Sequence, residues 1–281
     1  MNRSVISVKA VNKTFRVKAS NTTNSGWLRK LFPVYEEFTA LRNIDMNLQV
    51  GECLGILGPN GAGKSTLIKI LCGLQLPSDG NVMVIGQEPY RRGAHFLKQI
   101  GIVFGHKSSL WWDLPVIDSF EAARILYDIP RERYQNNLQK LTRMLNLEKI
   151  LDRPVRVLSL GERVKAEIVV SLLHDPKLFF LDEPTIGLDI TSKAELRDCL
   201  RTWVRDREMA ILLTSHDVSD IEQCCDRVSL IHQGSFRFTG TIQELRSNLS
   251  NSAMGTGSSK DSLEEMLVKR FQEWHQENHA R

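Results

Sequence analysis

The stretch Gly58-Pro59-Asn60-Gly61-Ala62-Gly63-Lys64-Ser65-Thr66 constrains this chain more than any other segment. It follows a compact apolar run, Cys53-Leu54-Gly55-Ile56-Leu57, and precedes a second one that opens at Leu67. Gly58, Gly63, Lys64 and Ser65 match the phosphate-loop pattern, and a buried strand before and a helix after are the context that the pattern needs. Small residues let successive backbone N–H groups turn inward around an anion. The helix that follows presents its positive end to the same anion. Lys64 then places a charge on the outer phosphates, and Ser65 offers a hydroxyl to Mg²⁺.

Buried apolar runs like the one before this loop recur at 100–104, 178–181, 211–214 and 228–231, with helical patterns between them. That alternation predicts an α/β fold with a mainly parallel sheet. Residues 5–11 alternate apolar and polar, which predicts a half-exposed strand, and the pattern breaks from Arg16 to Ala40. Residues 108–156 contain no good strand. Tyr134, Leu138, Leu141 and Leu145 share one helical face there, and Pro130 separates them from an earlier helix over 118–127. This predicts a helical subdomain, about 108–170, inserted into an α/β unit that spans 1–240. A C-terminal extension over 241–281 comprises a Ser/Gly/Asn-rich linker (250–260) and a short amphipathic helix (261–274), with Leu263, Met266, Leu267 and Phe271 as its stripe.

The 281 residues suffice for one large domain or two modest ones. A net charge of +4 makes no case for a nucleic-acid partner, and would suit one at an anionic membrane surface. No apolar run approaches the roughly 18 residues of a membrane span, and the start does not read as a secretory signal. The five cysteines lack metal-ligand spacing and read as reduced thiols in the cytosol.

Two later segments carry further chemistry. Leu178-Phe179-Phe180-Leu181-Asp182-Glu183 brings two acids to the carboxyl end of a buried strand, where open α/β sheets place their ligands. Asp182 suits Mg²⁺, directly or through water, and Glu183 suits a general base that orients the attacking water. In Leu158-Ser159-Leu160-Gly161-Glu162-Arg163, Ser159 and Glu162 have capping-box spacing before an apolar run, so a helix should start there with its positive end exposed.

Taken together, the phosphate loop, residues 158–163, Leu181-Asp182-Glu183-Pro184, Gly187-Leu188-Asp189 and Thr214-Ser215-His216-Asp217, in that order, resemble the ABC ATPase family over nearly the whole chain. The resemblance implies a P-loop NTPase (RecA-like) core with a helical subdomain, ATP hydrolysis with Mg²⁺, and head-to-tail pairing of two copies. Ser159, Gly161 and Glu162 of one copy would then face the γ-phosphate held by Lys64 of the other. It further implies that His216 contacts that phosphate and helps fix the water, that Asp189 lies at the dimer seam, and that Phe15 stacks on adenine, with Phe32, Tyr35 and Phe38 as competitors; from the residues alone Asp189 also suits a helix N-cap and Phe15 a place in the core.

Two departures stand out. His106 occupies the position where the family usually has a Mg²⁺-binding glutamine, and imidazole is a poor ligand for Mg²⁺. Leu160 and Glu162-Arg163 replace commoner glycine and Gly-Gln. Trp111-Trp112 and the cluster Trp27-Leu28-Arg29-Lys30-Leu31-Phe32 read either as core or as contacts with a membrane partner or surface. The tail Ser262-Leu263-Glu264-Glu265-Met266-Leu267 resembles the ending of bacterial drug- and antibiotic-exporter ATPases. The expectation is an ATPase subunit at the cytoplasmic face of the membrane, powering export through a separate transmembrane permease. A soluble ABC protein of translation or repair would carry two motif sets or a long coiled coil, and a phosphate-loop kinase leaves Ser159, Gly161 and His216 unexplained.

Overall fold

The computed structural model describes residues 4–18, 35–105, 107–207, 209–252 and 262–279. Its centre is a six-stranded sheet of β3 (Cys53–Leu57), β5 (Ile100–Phe104), β6 (Leu178–Asp182), β7 (Ala210–Ser215), β8 (Arg227–His232) and β9 (Ser235–Thr241). They lie in the order β5-β6-β7-β3-β8-β9, and every pair is parallel except β8 with β9. Each of the first four predicted runs is therefore a strand of a parallel sheet, and so is 228–231. These strands are apolar on both faces because both faces are covered. Leu54, Ile56, Phe180 and Leu212 pack on one side, with α1 (Lys64–Leu71). Cys53, Leu57, Phe179 and Leu213 pack on the other, with the helices α5 (Leu160–Leu172) and α6 (Ile190–Arg207).

A second sheet of three antiparallel strands, β2-β1-β4, flanks the first. Here the sequence reading needs correction. β1 (Ser4–Lys18) does not stop near Val11, and it includes Phe15. β2 (Tyr35–Gln49) begins well before Ala40. Pairs such as Thr14 with Thr39 and Phe15 with Phe38 hold the extended arms together. Cross-strand pairing thus supplies what the weak alternation of these residues does not. β4 (Asp79–Val84) completes this sheet, and neither it nor β9 carries the apolar signal of the others.

A short helix, α2 (Ala94–Leu97), precedes β5, and the helices between β5 and β6 are α3 (Val116–Leu126), α4 (Arg131–Met144) and α5. After β7 comes α7 (Val218–Cys224). At the C-terminal side α8 (Ile242–Ser252) takes in the first residues assigned above to the linker, and α9 (Leu263–His279) closes the described chain. Leu263, Leu267 and Trp274 of α9 are buried in the core, with Met266 and Phe271 beside them. All five cysteines are free thiols; Cys53 and Cys225, distant in sequence, approach to 3.6 Å between sulfurs.

One buried histidine ties β5 to the helical region. The His174 ring stacks on Tyr127 with centroids 4.0 Å apart, and its Nε2 lies 3.0 Å from the Ile100 carbonyl oxygen. A carbonyl only accepts, so Nε2 carries the proton. Burial pushes the His174 pKa down from 6.5 to about 4. The neutral form is the native one, so its contribution is complete above pH 6.5 and is lost as pH falls through that window to about 4. The full effect is roughly 3 kcal/mol, each pKa unit being about 1.4 kcal/mol. Thermal denaturation between pH 6.5 and 4.5 should show Tm falling with acid, and His174→Phe should flatten that slope at some cost in stability at pH 7. An unchanged slope in the variant would place the acid sensitivity elsewhere.

Candidate nucleotide site

The loop after β3 owes its shape to two glycines. Gly58 presses on β8 so closely that a Cβ there would lie 2.3 Å from the Ile231 carbonyl oxygen. Gly63 takes φ +112°, and a Cβ there would lie 2.7 Å from the Ala40 carbonyl oxygen. No side chain is tolerated at either position without moving backbone. Pro59, Asn60 and Gly61 are exposed, Ala62 is buried, and Ser65 and Thr66 are half-buried on the first turn of α1. A helix start approached by this loop leaves backbone N–H groups and the positive helix end facing one concavity.

Lys64 is only 4% exposed, and its ammonium has three partners. It donates to the carbonyl oxygens of Gly58 at 2.7 Å and Pro59 at 3.2 Å, and pairs with Glu183 Oε1 at 3.0 Å. Glu183 directly follows β6 and takes φ +53°, a left-handed conformation that costs a non-glycine residue energy. It is locked there because its N–H donates to both the backbone oxygen and the hydroxyl of Thr214, each at 3.1 Å. Burial raises the pKa of the Glu183 carboxyl, but the Lys64 hydrogen bond and charge, with His216, outweigh that and hold it below the usual carboxylate range.

His216 follows β7 and places Nδ1 2.8 Å from Glu183 Oε2. An ionised carboxylate only accepts, which assigns the proton to Nδ1 and leaves Nε2 directed away. Asp182, 8% exposed, accepts a hydrogen bond of 2.7 Å from the Thr214 hydroxyl. The structure thus gathers Lys64, Asp182, Glu183 and His216 at the carboxyl ends of three neighbouring strands. Thr214, which anchors both acids, stands in the quoted Thr-Ser-His-Asp segment, but no signal in the sequence assigned it a role of its own.

The donor set near Asp182 suits Mg²⁺. Carboxylate and hydroxyl oxygens are its preferred ligands, and it usually takes one or two from protein and the rest from phosphates and water. No cluster of three or more His, Cys, Asp or Glu residues that could cage a metal occurs among the described residues. His106 lies outside the described residues, as do Phe32 and the cluster at 27–32.

A second group forms around the start of α5. Ser159 caps this helix, and the capping box is reciprocal: Glu162 N donates to Ser159 Oγ at 3.2 Å, and Ser159 N donates to Glu162 Oε2 at 2.8 Å. Both the amide and the carboxylate of Glu162 are thereby committed. The Ser159 hydroxyl hydrogen and the Leu160 amide remain at the exposed helix end, while Gly161 is buried. Asp189 caps α6, accepting from Ser192 N at 2.9 Å and Ser192 Oγ at 2.8 Å. Those hydrogen bonds hold the Asp189 carboxyl below its usual range. A Cβ on Gly161 would lie 2.6 Å from Ser192 Oγ, so the two helix starts abut. Among the described residues no hydrogen bond or ion pair joins this group to Lys64, Glu183 or His216 within the chain.

Phe15 is half-buried, with the Lys13 ammonium 5.0 Å from its ring centroid. Its cross-strand partner, Phe38, is 53% exposed and stands two residues before Ala40, which borders Gly63. Two further residues were not legible as functional. Glu167 of α5 is buried and accepts from the hydroxyls of Ser108 and Ser109 and from Ser109 N at 2.9 Å, which fastens the loop after β5. Asp220 is 1% exposed and accepts from Thr185, from Ser215 at 2.9 Å and from Arg197 Nε at 2.9 Å, joining α6, α7 and β7 behind the site.

With this geometry in hand, comparison with known proteins gives the class. Residues 41–186 match the ABC transporter family. The chain is 32% identical to the ABC transporter ATP-binding protein NatA of Bacillus subtilis, over 73% of this chain and 83% of that one. It is 33% identical to the lantibiotic transport ATP-binding protein SrtF of Streptococcus pyogenes, over 74% and 86%. Its fold is that of the ATP-binding cassette MJ0796, solved as a dimer in a post-hydrolysis state with ADP and Pi, at TM-score 0.69 and 22% identity over 84% of this chain and 98% of that one. The chain belongs to the ABC transporter family. Within that family it is an ATP-binding subunit, and it is an ATPase.

Proposed function

We propose that this chain is the energy-supplying subunit of an exporter: it binds ATP with Mg²⁺ at the phosphate loop, pairs head-to-tail with a second copy, and drives a separate transmembrane permease from the cytoplasmic face of the membrane. The observation that carries the catalytic part is the contiguous set Lys64–Glu183–His216, with contacts of 3.0 and 2.8 Å. Phosphate oxygens would draw the Lys64 ammonium off the Gly58 and Pro59 carbonyls and off Glu183. The released carboxylate would accept the proton of the attacking water. Ser65 and Asp182 would hold Mg²⁺, which neutralises charge developing on the phosphates. His216 would orient Glu183 through Nδ1; for Nε2 to donate to a phosphate oxygen as well, the ring must be doubly protonated. Phe15 would lie along the adenine.

Half of each site would come from the second copy, through Ser159, Leu160 and Gly161, with Asp189 at the seam. The dimeric structure of the ATP-binding cassette MJ0796 supports pairing. For the permease, the support is a surface: Trp111 and Trp112 are each 51% exposed, Arg163 sits over the Trp112 ring at 5.2 Å, and Glu167 fixes the loop that carries them. Among the described residues no helix is long and apolar enough to cross a membrane. The resemblance of the tail to exporter ATPases supports outward transport. The division into 1–240 and 241–281, with a helical subdomain near 108–170, belongs to this reading.

The test is affinity purification from solubilised membranes. Recovery with a chain of about six spanning helices is expected, and Trp111→Ala with Trp112→Ala should abolish it while leaving nucleotide binding intact. Recovery with ribosomes instead would sink the exporter reading.

A further inference from the structure

Asp220 takes no part in the steps described above, yet it is 1% exposed in the first turn of α7. Burying a carboxylate is costly unless its oxygens are satisfied. Here each oxygen has its own partners. Oδ1 accepts from Arg197 Nε of α6 at 2.9 Å, and the Arg197 side chain is itself only 12% exposed. Oδ2 accepts from two hydroxyls, that of Ser215 at 2.9 Å and that of Thr185.

The two hydroxyls stand at particular places in the chain. Ser215 ends β7 and directly precedes His216. Thr185 follows Glu183 by two residues. The Ser215 hydroxyl also accepts from Asp217 N at 2.9 Å. An N–H only donates, so the hydroxyl hydrogen goes to Asp220. Ser215 therefore closes a short turn with His216 at its centre, and Asp220 holds that turn. Lys193, one turn before Arg197 on α6, fixes its far end through Asp217 at 2.9 Å.

Glu183 is gripped on both sides. Its own N–H goes to Thr214, and the chain beyond it is tied down at Thr185. The segments that carry Glu183 and His216 thus meet at one oxygen atom of Asp220. The side chains that they carry meet at 2.8 Å, between Glu183 Oε2 and His216 Nδ1. Thr185, Ser215 and Asp220 are all buried, so water does not compete for these hydrogen bonds. Among the described residues no hydrogen bond or ion pair joins Asp220 directly to Lys64, Glu183 or His216.

We propose that Asp220 is a positioning residue for ATP hydrolysis: by gathering Ser215 and Thr185 on one oxygen it sets His216 against Glu183, and Arg197 holds the carboxylate in place. Its effect on the rate passes through His216 and Glu183. This rests on the reading of Glu183 as the base and His216 as its guide, and the experiment separates the two.

Replacing Asp220 itself would strand the Arg197 charge and destabilise the fold, so the hydroxyls are removed one at a time. Phosphate release and calorimetric ATP binding are measured for Ser215→Ala and Thr185→Val, each beside its Tm. A 1 Å misplacement of a reacting group can cost about 100-fold, so loss of one tether should lower kcat about tenfold. ATP affinity should be unchanged, because Lys64 and the phosphate loop are untouched. Thr185→Ser keeps the hydroxyl and should restore turnover. In a His216→Ala background Ser215→Ala should cost nothing further, because both act through one contact, whereas independent effects multiply. If His216→Ala and Glu183→Gln turn ATP over like wild type, the reading of the site fails and this inference with it. If those two are slow, but Ser215→Ala and Thr185→Val keep wild-type kcat, or Ser215→Ala slows turnover equally with and without His216, the positioning role is refuted while the site stands.

Discussion

Glu183→Gln is expected to lower ATP turnover by about 10²–10⁴-fold, the range for loss of a positioned general base, while leaving ATP bound at least as tightly. The first part follows from the amide, which cannot accept the proton of the attacking water. The second follows from what Lys64 does without nucleotide. Its ammonium is 3.0 Å from Glu183 Oε1, and this attraction must be given up when phosphate oxygens take its place. A neutral amide side chain at position 183 lowers that cost. Phosphate release measured beside calorimetric ATP binding checks both parts. Turnover within tenfold of wild type would remove Glu183 from the role.

The same ion pair sets a pH expectation. In the free protein the Glu183 carboxyl is held below its usual range, burial being outweighed by Lys64 and His216. It therefore stays ionised well into acid, and protonation removes the base only as pH falls through that depressed value. Once ATP has drawn Lys64 away, burial is less opposed and the pKa rises. The acid limb of kcat, which reports the bound enzyme, should lie at higher pH than that of kcat/KM, which reports the free enzyme.

How much of this was legible in the sequence depended on whether neighbours in sequence or neighbours in space did the work. The parallel strands announced themselves because burial on both faces makes Leu178 to Leu181, or Ile211 to Leu213, apolar without interruption. The reciprocal cap at Ser159 and Glu162 was equally readable, since a cap is local. The antiparallel arms of β1 and β2 were not. Phe15 is held by Phe38, and Arg16 by Glu37, residues far apart in the chain, and no local pattern records such pairs. The anchoring roles of Thr214, Glu167 and Asp220 were not legible for a similar reason. Each is one polar residue in an otherwise apolar or helical stretch, and its role comes from hydrogen bonds to segments distant in the chain. The amphipathic stripe of α9 was visible, but its seat beside Gly58 and Pro59 was not, because nothing in a stripe names the surface it covers.

Lys64→Ala should weaken ATP binding by about two orders of magnitude, and it should do so for a reason separable from its effect on the fold. A charge-assisted hydrogen bond contributes roughly 1.5–3 kcal/mol, and Lys64 is aimed by the Gly58 and Pro59 carbonyls at the mouth of the phosphate loop. Truncation also strands Glu183, which is 12% exposed and would keep only His216 as a counterpart. An uncompensated, largely buried carboxylate destabilises the protein, so Tm should fall as well. The two effects part in the double variant. Lys64→Ala with Glu183→Gln removes the stranded charge, so much of the lost Tm should return, yet ATP affinity should stay low because nothing restores a cation at the phosphates. Lys64→Arg should not rescue binding either: its planar fork needs room that a 4% exposed position between two loop carbonyls does not offer. Titration with a fluorescent nucleotide, run beside thermal melts of the three variants, distinguishes these outcomes. If affinity recovers with Tm in the double variant, Lys64 acts through the fold and not through the phosphates.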